Sequence, residues 1–461
     1  MRENPYASAV FGRLETHVIN AGMQLSPSPS YDVLAPYTDE EALQNWATRT
    51  AELFRIWGED KRLVTVSRDA TFNQLQRKVF RAAMCSGDCL VVFGVSEVTG
   101  LPVIEVVDGI NVRNDWAPFA ENGNPITNGV ETDKATGQVV AYYVENELDM
   151  MKTPIRVPVY RGGIRTAWLV KISDGRIGEN RGLPILSVVM QNINELGKYL
   201  DSEQRAALVN SYIAMIHTRA PKQAPVGNVL KGAIVGETSV TDDNGTATFR
   251  RMQPGFFMTN LNDGEKIEPY DTKRPTISFS PFVETCLKTI SFGLGIPPEL
   301  LMLSFNSNYS ASAQAINEMQ NHTKQAQSIF VASFLQPIYD QWLTGMILTG
   351  KIKAENYLAT MYDPRYFDVI GAWRSAQWIG LPKSELSVER MVNALSTAVD
   401  RNWANDKDIA KQYFGTDVET NIRINNKYRA SRADNPAKAP APEELSAKID
   451  TLIKMMEDKR A

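Results

Sequence analysis

The sequence has few of the side chains that build metal centres and catalytic sites. Its 461 residues include three cysteines and three histidines, and His17, His217 and His322 are far apart in sequence. Cys85 and Cys89 are four residues apart, which could place two thiolates on one helix face, but no histidine or second cysteine pair is close to them in sequence. We therefore expect small buried cysteines in a reducing compartment, and neither a metal nor a cofactor.

Nucleotide-binding and catalytic motifs are missing as well. The chain has no Gly-x4-Gly-Lys-Ser/Thr sequence with which to cradle nucleotide phosphates. Gly293-Leu294-Gly295 lacks the third glycine of a dinucleotide fingerprint and follows a helical pattern, so it predicts a helix terminator. Asp363 and Asp368 could form a catalytic carboxylate pair, but Pro364 and the aromatic residues around it favour a structural turn.

The chain also lacks a strong charge of either sign and a long apolar run. The 49 basic and 53 acidic residues give a net charge of -4, which argues against a protein held to nucleic acid by its overall field. No apolar run approaches the roughly 18 residues of a membrane-spanning helix, and no basic-then-apolar leader is present. We expect no membrane partner.

What is present is an organising stretch from Arg181 to Leu348. From Pro184 to Thr218 apolar residues recur at helical spacing, which predicts one long amphipathic helix. Short β-prone runs follow, separated by Asp243-Asn244-Gly245 and Asn262-Asp263-Gly264, and such Asn-Gly and Asp-Gly pairs are strong hairpin signals. Helical spacing resumes at Ser280. The pattern predicts a helix leading out, a small β cap and a shorter helix leading back.

A loop from Ile296 to Ser312 follows the returning helix. It begins with Pro297-Pro298, which no helix can cross, and Ser310 or Ser312 is expected to cap a second long helical pattern that reaches Leu343. Apart from Glu299 the loop carries no charge. Taken alone, this composition predicts an ordinary hinge between helices.

The flanking regions predict an α+β fold that is mainly helical. The expected elements are helices at 3–20, 40–58, 71–86 and 387–399, strands at 90–95, 101–107 and 139–144, turn signals at Asn122-Gly123, Asn128-Gly129 and Thr136-Gly137, a linker at 431–442 and a charged amphipathic helix at 443–459.

Several short motifs occur along the chain in a fixed order. They are Asn4-Pro5-Tyr6 with Gly22 downstream, Arg181-Gly-Leu-Pro184, Tyr199-Leu-Asp-Ser-Glu203, Pro254-Gly255, Gly264-Glu265, Gly295-Ile-Pro-Pro-Glu-Leu300, Asn308-Tyr-Ser-Ala-Ser312, Trp373, Trp378, Pro382, Glu385, Asp408-Ile409 and Gly415. Their order over most of residues 1 to 420 resembles that of the lambda-type portal proteins of tailed phages. The chain departs from that family at Gln314, where arginine is common.

The resemblance implies a non-enzymatic subunit of a homododecameric ring that forms the DNA channel at the capsid vertex. The implied parts are a wing (1–180), a first stem helix (181–220), a β-rich clip (221–275), a second stem helix (276–295), a channel loop (296–312), a long wing helix (313–350), a crown-side helical region (351–430) and a linker with a C-terminal helix (431–461). The implied partners are the terminase large subunit, a head-tail connector or adaptor, the major capsid protein and double-stranded DNA. The ring would assemble in the host cytoplasm and reside in the virion.

The resemblance also implies two sets of functional residues. The channel-facing set is Phe305, Asn306, Ser307, Asn308, Tyr309 and Ser310, and the partner-facing clip set is Asp243, Asn244, Gly245, Asp263 and Gly264. A neutral loop suits passing DNA, because each phosphate ion pair would have to break before the duplex advanced. The alternatives are another ring-forming head-tail adaptor, disfavoured by the long out-and-back module, and a metal-dependent nuclease or hydrolase, disfavoured by the scattered His, Cys and acidic residues.

Overall fold

The computed structural model describes most of the chain as two compact units. The described residues are 4–96, 100–113, 117–145, 154–172, 176–212, 215–219, 234–242, 245–252, 265–269, 279–304, 309–380, 388–410, 413 and 418–433. The smaller unit comprises Met1–Arg13 and Leu183–His322, and the larger comprises Leu14–Gly182 and Thr323–Ala461. The predicted α+β, mainly helical class is confirmed.

Helices dominate both units. The α-helices are Pro5–Val18, Tyr31–Leu34, Glu40–Glu59, Lys61–Val64, Phe72–Ser86, Met190–Tyr212, Phe279–Leu294, Pro298–Met302, Tyr309–Phe330, Gln336–Leu348, Tyr357–Thr360, Phe367–Arg374, Val388–Asp400, Asp406–Ile409 and Val418–Ala433. Single 3-10 turns lie at Gly109–Asn111, Ile185–Val188 and Pro364–Tyr366, and a π-helical turn lies at Val331–Leu335. No helix in the described part of the chain is both long and apolar enough to cross a membrane.

All of the sheets pair their strands antiparallel. A three-stranded sheet has Asp88–Val95 in the middle, between Ala167–Lys171 and Pro102–Asp108. A four-stranded sheet runs in the order Ile126–Thr127, Val130–Thr132, Val139–Val144 and Ile155–Pro158. Two-stranded ribbons join Gln24–Pro27 to Ala376–Ile379, Tyr160–Arg161 to Ile164–Arg165, Met215–Arg219 to Glu265–Pro269, and Ile234–Asp242 to Gly245–Met252.

An aromatic cluster forms the core of the larger unit. The ring of Phe54 lies 5.0 Å from that of Trp342 and 5.1 Å from that of Phe72, both edge-on. Trp57 completes the cluster, and its indole N–H donates to the carbonyl of Pro102 at 3.1 Å. Edge-on aromatic pairs add about 0.5–1.5 kcal/mol each beyond the burial of their area. This cluster fixes the helices Glu40–Glu59 and Gln336–Leu348 against each other.

The helix predicted at 71–86 shows how the sequence specifies its own ends. Thr71 caps the Phe72–Ser86 helix, and its hydroxyl and the Gln74 side chain each bond the other's backbone N–H. This capping box satisfies two N–H groups that a helix start would otherwise leave unpaired. Gly87 ends the helix with a φ of +92°, a backbone conformation that favours glycine.

The long helical pattern after the loop is interrupted near Pro337. The helix begins at Tyr309, one residue before the first predicted cap, and a π-helical turn at Val331–Leu335 separates it from Gln336–Leu348. Pro337 has no N–H, so the carbonyl of Ser333 lacks its α-helical donor. The indole N–H of Trp168 donates to that carbonyl instead, at 3.0 Å. The irregular turn thereby anchors the helix to the sheet strand Ala167–Lys171.

The Arg181-Gly182 motif is a buried polar junction in the larger unit. The guanidinium of Arg181 binds both carboxylate oxygens of Asp88, at 2.6 and 2.8 Å, and the Gly182 N–H donates to the same carboxylate at 2.8 Å. The Asp88 side chain is fully buried, and that of Arg181 is 22% exposed. A side chain at Gly182 would overlap the carbonyl oxygen of Gly87. The Arg181-Gly182 motif is therefore explained by the ion pair with Asp88 and by the close packing of Gly182 against Gly87.

The remaining donors of Arg181 tie two loops together. They bind the carbonyl oxygens of Val112, Asn128 and Gly109 at 2.6 to 2.7 Å. The Asn128-Gly129 turn lies where the turn signal predicts it, and it joins strands Ile126–Thr127 and Val130–Thr132 as a hairpin with positive φ at both residues. The guanidinium thus stabilises the edge of both sheets of the larger unit.

A second buried carboxylate orders the four-stranded sheet. Burial by itself raises the pKa of Glu131, but hydrogen bonds from Arg156, Asn122 and Asn124 outweigh it and lower the pKa to about 2. Arg156 Nε lies 2.7 Å from the carboxylate, and both asparagine amides lie at 3.0 Å. Glu131 is therefore ionised at neutral pH and holds the loop before Ile126–Thr127 on the sheet.

Candidate channel and docking segments

Two helices of the smaller unit form an antiparallel pair. The ring of Tyr199 lies 4.5 Å from that of Phe282 and 5.9 Å from that of Phe279. Towards the other end of the pair, a Cβ on Gly293 would lie 2.6 Å from Cγ1 of Val189, so glycine permits the close approach of the two segments. The predicted out-and-back arrangement of Met190–Tyr212 and Phe279–Leu294 is confirmed.

The prediction that the first of these helices runs from residue 184 to residue 218 is wrong at both ends. Ile185–Val188 is a 3-10 turn, and the α-helix Met190–Tyr212 has 23 residues, about 35 Å of rise, in place of the roughly 50 Å expected from the sequence. Met215–Arg219 is a strand paired with Glu265–Pro269. A short apolar run is compatible with both helical and strand periodicity. Here the pairing with the distant strand Glu265–Pro269 makes Met215–Arg219 a strand. The β-rich part therefore begins before residue 221.

The predicted hairpin at Asp243-Asn244-Gly245 is confirmed by strand register. Ile234–Asp242 pairs with Gly245–Met252, and Asp242 faces Gly245. A two-residue connection remains, Asp243 and Asn244, and both lie outside the described residues together with Asp263 and Gly264. Along the chain, the hairpin lies between the two outer strands, and those strands lie between the two helices. The segment between Val189 and Gly293 is therefore one antiparallel module. Its connection at residues 243–244 is the point farthest along the chain from both ends of the module.

The returning helix ends as the Gly293-Leu294-Gly295 signal predicts. Gly295 has a φ of +66°, the N–H of Ile296 donates to the carbonyl of Ser291 at 3.1 Å, and the N–H of Gly295 donates to that of Phe292 at 3.3 Å. These two bonds are the Schellman pattern of a helix C-terminus. The imidazole of His322 packs over Gly295, with Cδ2 3.3 Å from the position a Cβ would take. The start of the candidate channel loop is therefore fixed.

The first half of that loop is better ordered than its sequence predicts. Pro298–Met302 forms a short helix with proline in its first turn, where the missing N–H is tolerated. Ile296 and Leu300 are buried, and the helix ends at Leu303, which has a φ of +52°. The sequence-based expectation of an irregular loop overlooked this helix because Pro297-Pro298 was treated only as a breaker.

The predicted channel residues fall into two groups. Phe305, Asn306, Ser307 and Asn308 lie outside the described residues. Tyr309 and Ser310 form the first turn of Tyr309–Phe330, so the loop ends at residue 308, four residues before the predicted end at Ser312. Four residues therefore connect Ser304 to the helix Tyr309–Phe330.

We predict that Gly295→Ala destabilises the loop junction. The αL conformation costs a residue with a Cβ about 1–2 kcal/mol, and the His322 ring must also shift. Gly197→Ala is the matched control, because a Cβ at that helical position meets nothing within 4 Å. Thermal unfolding should show a lower melting temperature for Gly295→Ala and an unchanged or higher one for Gly197→Ala. Equal melting temperatures for both variants would contradict a strained junction.

His322 and Cys89 are enclosed by neighbouring side chains and backbone. Burial lowers the pKa of His322, and the nearby Glu318 carboxylate opposes that shift. Cys89 is buried in a strand, its thiol contacts the carbonyl of Val107 at 3.4 Å, and burial raises its pKa. Cys85 belongs to the preceding helix, so the two thiols do not share a helix face. Within the described ranges, no three His, Cys, Asp or Glu side chains form a group that could hold a metal ion.

The Asp363 carboxylate has a structural partner. It accepts from the N–H of Arg365 and pairs with the Arg365 guanidinium at 2.6 Å, and these bonds lower its pKa. Asp368 lies in the first turn of Phe367–Arg374, where a carboxylate favours the helix dipole. Both residues are explained by the turn that the sequence favoured.

Sequence reasoning missed an exposed apolar surface on the helix pair. The side chain of Phe292 is 90% exposed and that of Val188 is 73% exposed. Phe292 lies off the stripe of Ile290 and Leu294, which are buried within the smaller unit. Helical periodicity in the sequence identifies the buried stripe but gives no weight to an apolar residue outside it. Phe292 is such a residue, and it was the one signal in the sequence for this exposed surface. Exposed aromatic side chains of this kind are typical of surfaces that contact another protein.

Comparison with known proteins gave one family and several structures. The family model described as "Phage portal protein, lambda family" matches residues 1–327. A chain from the neck of an empty gene transfer agent particle, computed with C6 symmetry, is 11% identical, covers 89% of each chain and has a TM-score of 0.48. A chain from the neck of a native particle computed with C12 symmetry is 12% identical, covers 87% of this chain and 98% of its own, and has a TM-score of 0.40. No curated protein matched significantly.

Proposed function

The chain belongs to the lambda family of phage portal proteins, and from this premise we propose that it forms a homododecameric ring through which the genome is packaged and ejected. Its role is that of a conduit at the capsid vertex and not that of an enzyme. The ring assembles in the host cytoplasm and becomes part of the virion. A cyclic head-to-tail interface closes the channel, because each subunit then uses two different surfaces.

The nested antiparallel module between Val189 and Gly293 is the observation that carries this proposal. Its two helices pack through Tyr199 and Phe282. The β hairpin lies between these helices in sequence, farthest along the chain from the ends of the module. In the proposed assignment the helix pair is the stem and the β part is the clip. The wing, residues 1–180 with 313–350, contacts the major capsid protein, and the region 351–430 forms the crown.

The clip end supplies the docking surface. We assign Asp243, Asn244, Gly245, Asp263 and Gly264 to contacts with the terminase large subunit and later with the head-tail connector or adaptor. The two-residue connection after Asp242 supports this assignment, because hairpin ends project from the strands that they join. The same surface serves two partners in succession.

The loop 296–312 supplies the channel lining. We assign Phe305, Asn306, Ser307, Asn308, Tyr309 and Ser310 to the face that passing DNA meets. The helix end at Gly295 and the buried Leu300 support this role, since they hold the loop base while leaving its uncharged second half to the channel.

Native mass spectrometry of the purified protein tests the proposed ring. We expect one dominant closed oligomer, and no hydrolysis of ATP or DNA by it. Monomer alone across assembly conditions, or turnover that disappears with Asp363→Asn, would overturn the proposal in favour of an enzyme.

Asn308→Lys tests the channel assignment. One added cation per subunit becomes a belt of positive charge around the ring, which should bind phosphates, slow packaging and make its rate strongly salt-dependent. Asn308→Gln is the neutral control and should package as the wild type does. Packaging rate measured against salt should separate the two variants. Identical salt dependence with intact rings would remove this loop from the DNA path.

A further inference from the structure

The helix Val418–Ala433 differs in charge from the rest of the chain. Its 16 residues include the four basic residues Arg423, Lys427, Arg429 and Arg432 and one acidic residue, Glu419. The other 445 residues carry 45 basic and 52 acidic residues. The helix lies beyond residue 327, where the family match ends, so family membership assigns it no role.

Packing against the described residues does not explain this helix. From residue 424 to residue 430 every side chain is exposed, and Ile422 and Tyr428 are 54% and 59% exposed. Ile422 and Ile424 point to different sides of the helix, so no apolar stripe exists to bury. Short helices without a packed face are marginal in water, which indicates that a bound partner stabilises this one.

The positive charge of Lys427 and Arg429 is not neutralised within the helix. On a helix surface, a side chain contacts those three and four positions before and after it. None of these neighbours of Lys427 and Arg429 is acidic. Among the described residues no ion pair reaches either side chain. Copies of the helix brought together in a ring would repel one another, so the fitting partner is a polyanion.

We propose that Val418–Ala433 binds the phosphate backbone of double-stranded DNA. Lys427 and Arg429 supply the ionic contacts, and the exposed amides of Asn425 and Asn426 can donate hydrogen bonds to phosphate oxygens without reading sequence. A membrane surface fits poorly, because its binding requires basic and apolar residues on opposite faces. The inference rests on the proposed function, in which double-stranded DNA is the polyanion that passes through the ring.

This assignment gives the chain two segments with opposite behaviour towards DNA. The loop 296–312 has one charged residue, Glu299, and offers passing phosphates no cation. The helix Val418–Ala433 offers a concentrated positive charge. The first suits DNA in motion, and the second suits DNA that is held.

The test is equilibrium binding of a fluorescent mixed-sequence duplex to assembled full-length protein, by anisotropy from roughly 50 to 200 mM salt. Lys427→Gln/Arg429→Gln should bind roughly tenfold more weakly, and the slope of log affinity against log salt should fall by about 1.8 for each engaged helix. Lys351→Gln/Lys353→Gln removes the same charge from exposed residues elsewhere and should bind as the wild type does.

Three outcomes would overturn the inference. One is equal DNA affinity for both double variants, a second is a salt slope that does not change, and the third is binding of a polyglutamate peptide with none of the duplex, which would indicate an acidic protein partner. Native mass measured on the same samples distinguishes the two proposals. Intact rings with unaltered DNA binding sink this inference alone, whereas absence of rings sinks the proposed function.

Discussion

Arg181→Ala should unfold the larger unit at a markedly lower temperature than the wild type. The substitution leaves the fully buried Asp88 carboxylate without its cation and leaves the carbonyls of Val112, Asn128 and Gly109 without their donor. Removing one partner of a buried ion pair costs about 3–5 kcal/mol, because the remaining charge stays buried. Differential scanning calorimetry of wild type and variant measures the change.

Arg55→Ala is the matched control for this prediction. Arg55 also contacts carboxylates, those of Glu52 and Glu59, but its side chain is 54% exposed and water replaces the lost contacts. Exposed pairs of this kind contribute about 0–1 kcal/mol. Arg181→Lys should fall between the two, because lysine restores the charge but not the two-pronged geometry. If Arg181→Ala and Arg55→Ala melt together, the junction is not a stabilising feature.

Phe292→Lys should abolish the ring while leaving the subunit folded. We propose that Phe292, 90% exposed on Phe279–Leu294, is buried by a neighbouring subunit. Burial of a phenylalanine side chain contributes about 2–3 kcal/mol, and a ring loses that amount at every interface at once. Lysine is compatible with the helix itself, because a cation near the C-terminus interacts favourably with the helix dipole. Native mass should show monomer, and circular dichroism should be unchanged.

Two further variants separate an interface role from general solubility. Ile177→Lys places the same cation at another fully exposed apolar position and should leave the ring intact. Phe292→Leu keeps an apolar side chain and should retain much of the assembly. Rings of normal size from Phe292→Lys would show that this surface meets no neighbour.

The sequence predicted those elements whose signal is local. Periodicity in Glu40–Glu59, the helix predicted at 71–86 and the Asn-Gly turns at 128–129 and 244–245 each depend on a few neighbouring residues, and each element was found. Gly295 was identified as a terminator for the same reason. Helix ends, hairpin register and turns follow from backbone chemistry that a short window contains.

The errors concern pairings between distant residues. Gln24–Pro27 pairs with Ala376–Ile379, and nothing in either segment indicates the other. Met215–Arg219 continues a helical pattern and becomes a strand because Glu265–Pro269 binds it. The predicted linker start at residue 431 fell inside Val418–Ala433 because that helix has no apolar stripe to detect. Recognising that Phe292 is exposed required knowing which face of its helix is already covered.

In the module between Val189 and Gly293, the strands Ile234–Asp242 and Gly245–Met252 pair with each other along their length, so their lengths must change together. One residue inserted into Ile234–Asp242 would turn every later side chain of that strand to the opposite face, so an insertion is tolerated only when Gly245–Met252 gains a matching one. The contact between Val189 and Gly293 is unaffected by such paired changes. If the β part docks a partner as proposed, matched insertions or deletions in the two strands lengthen or shorten its reach towards that partner without rebuilding the base of the module.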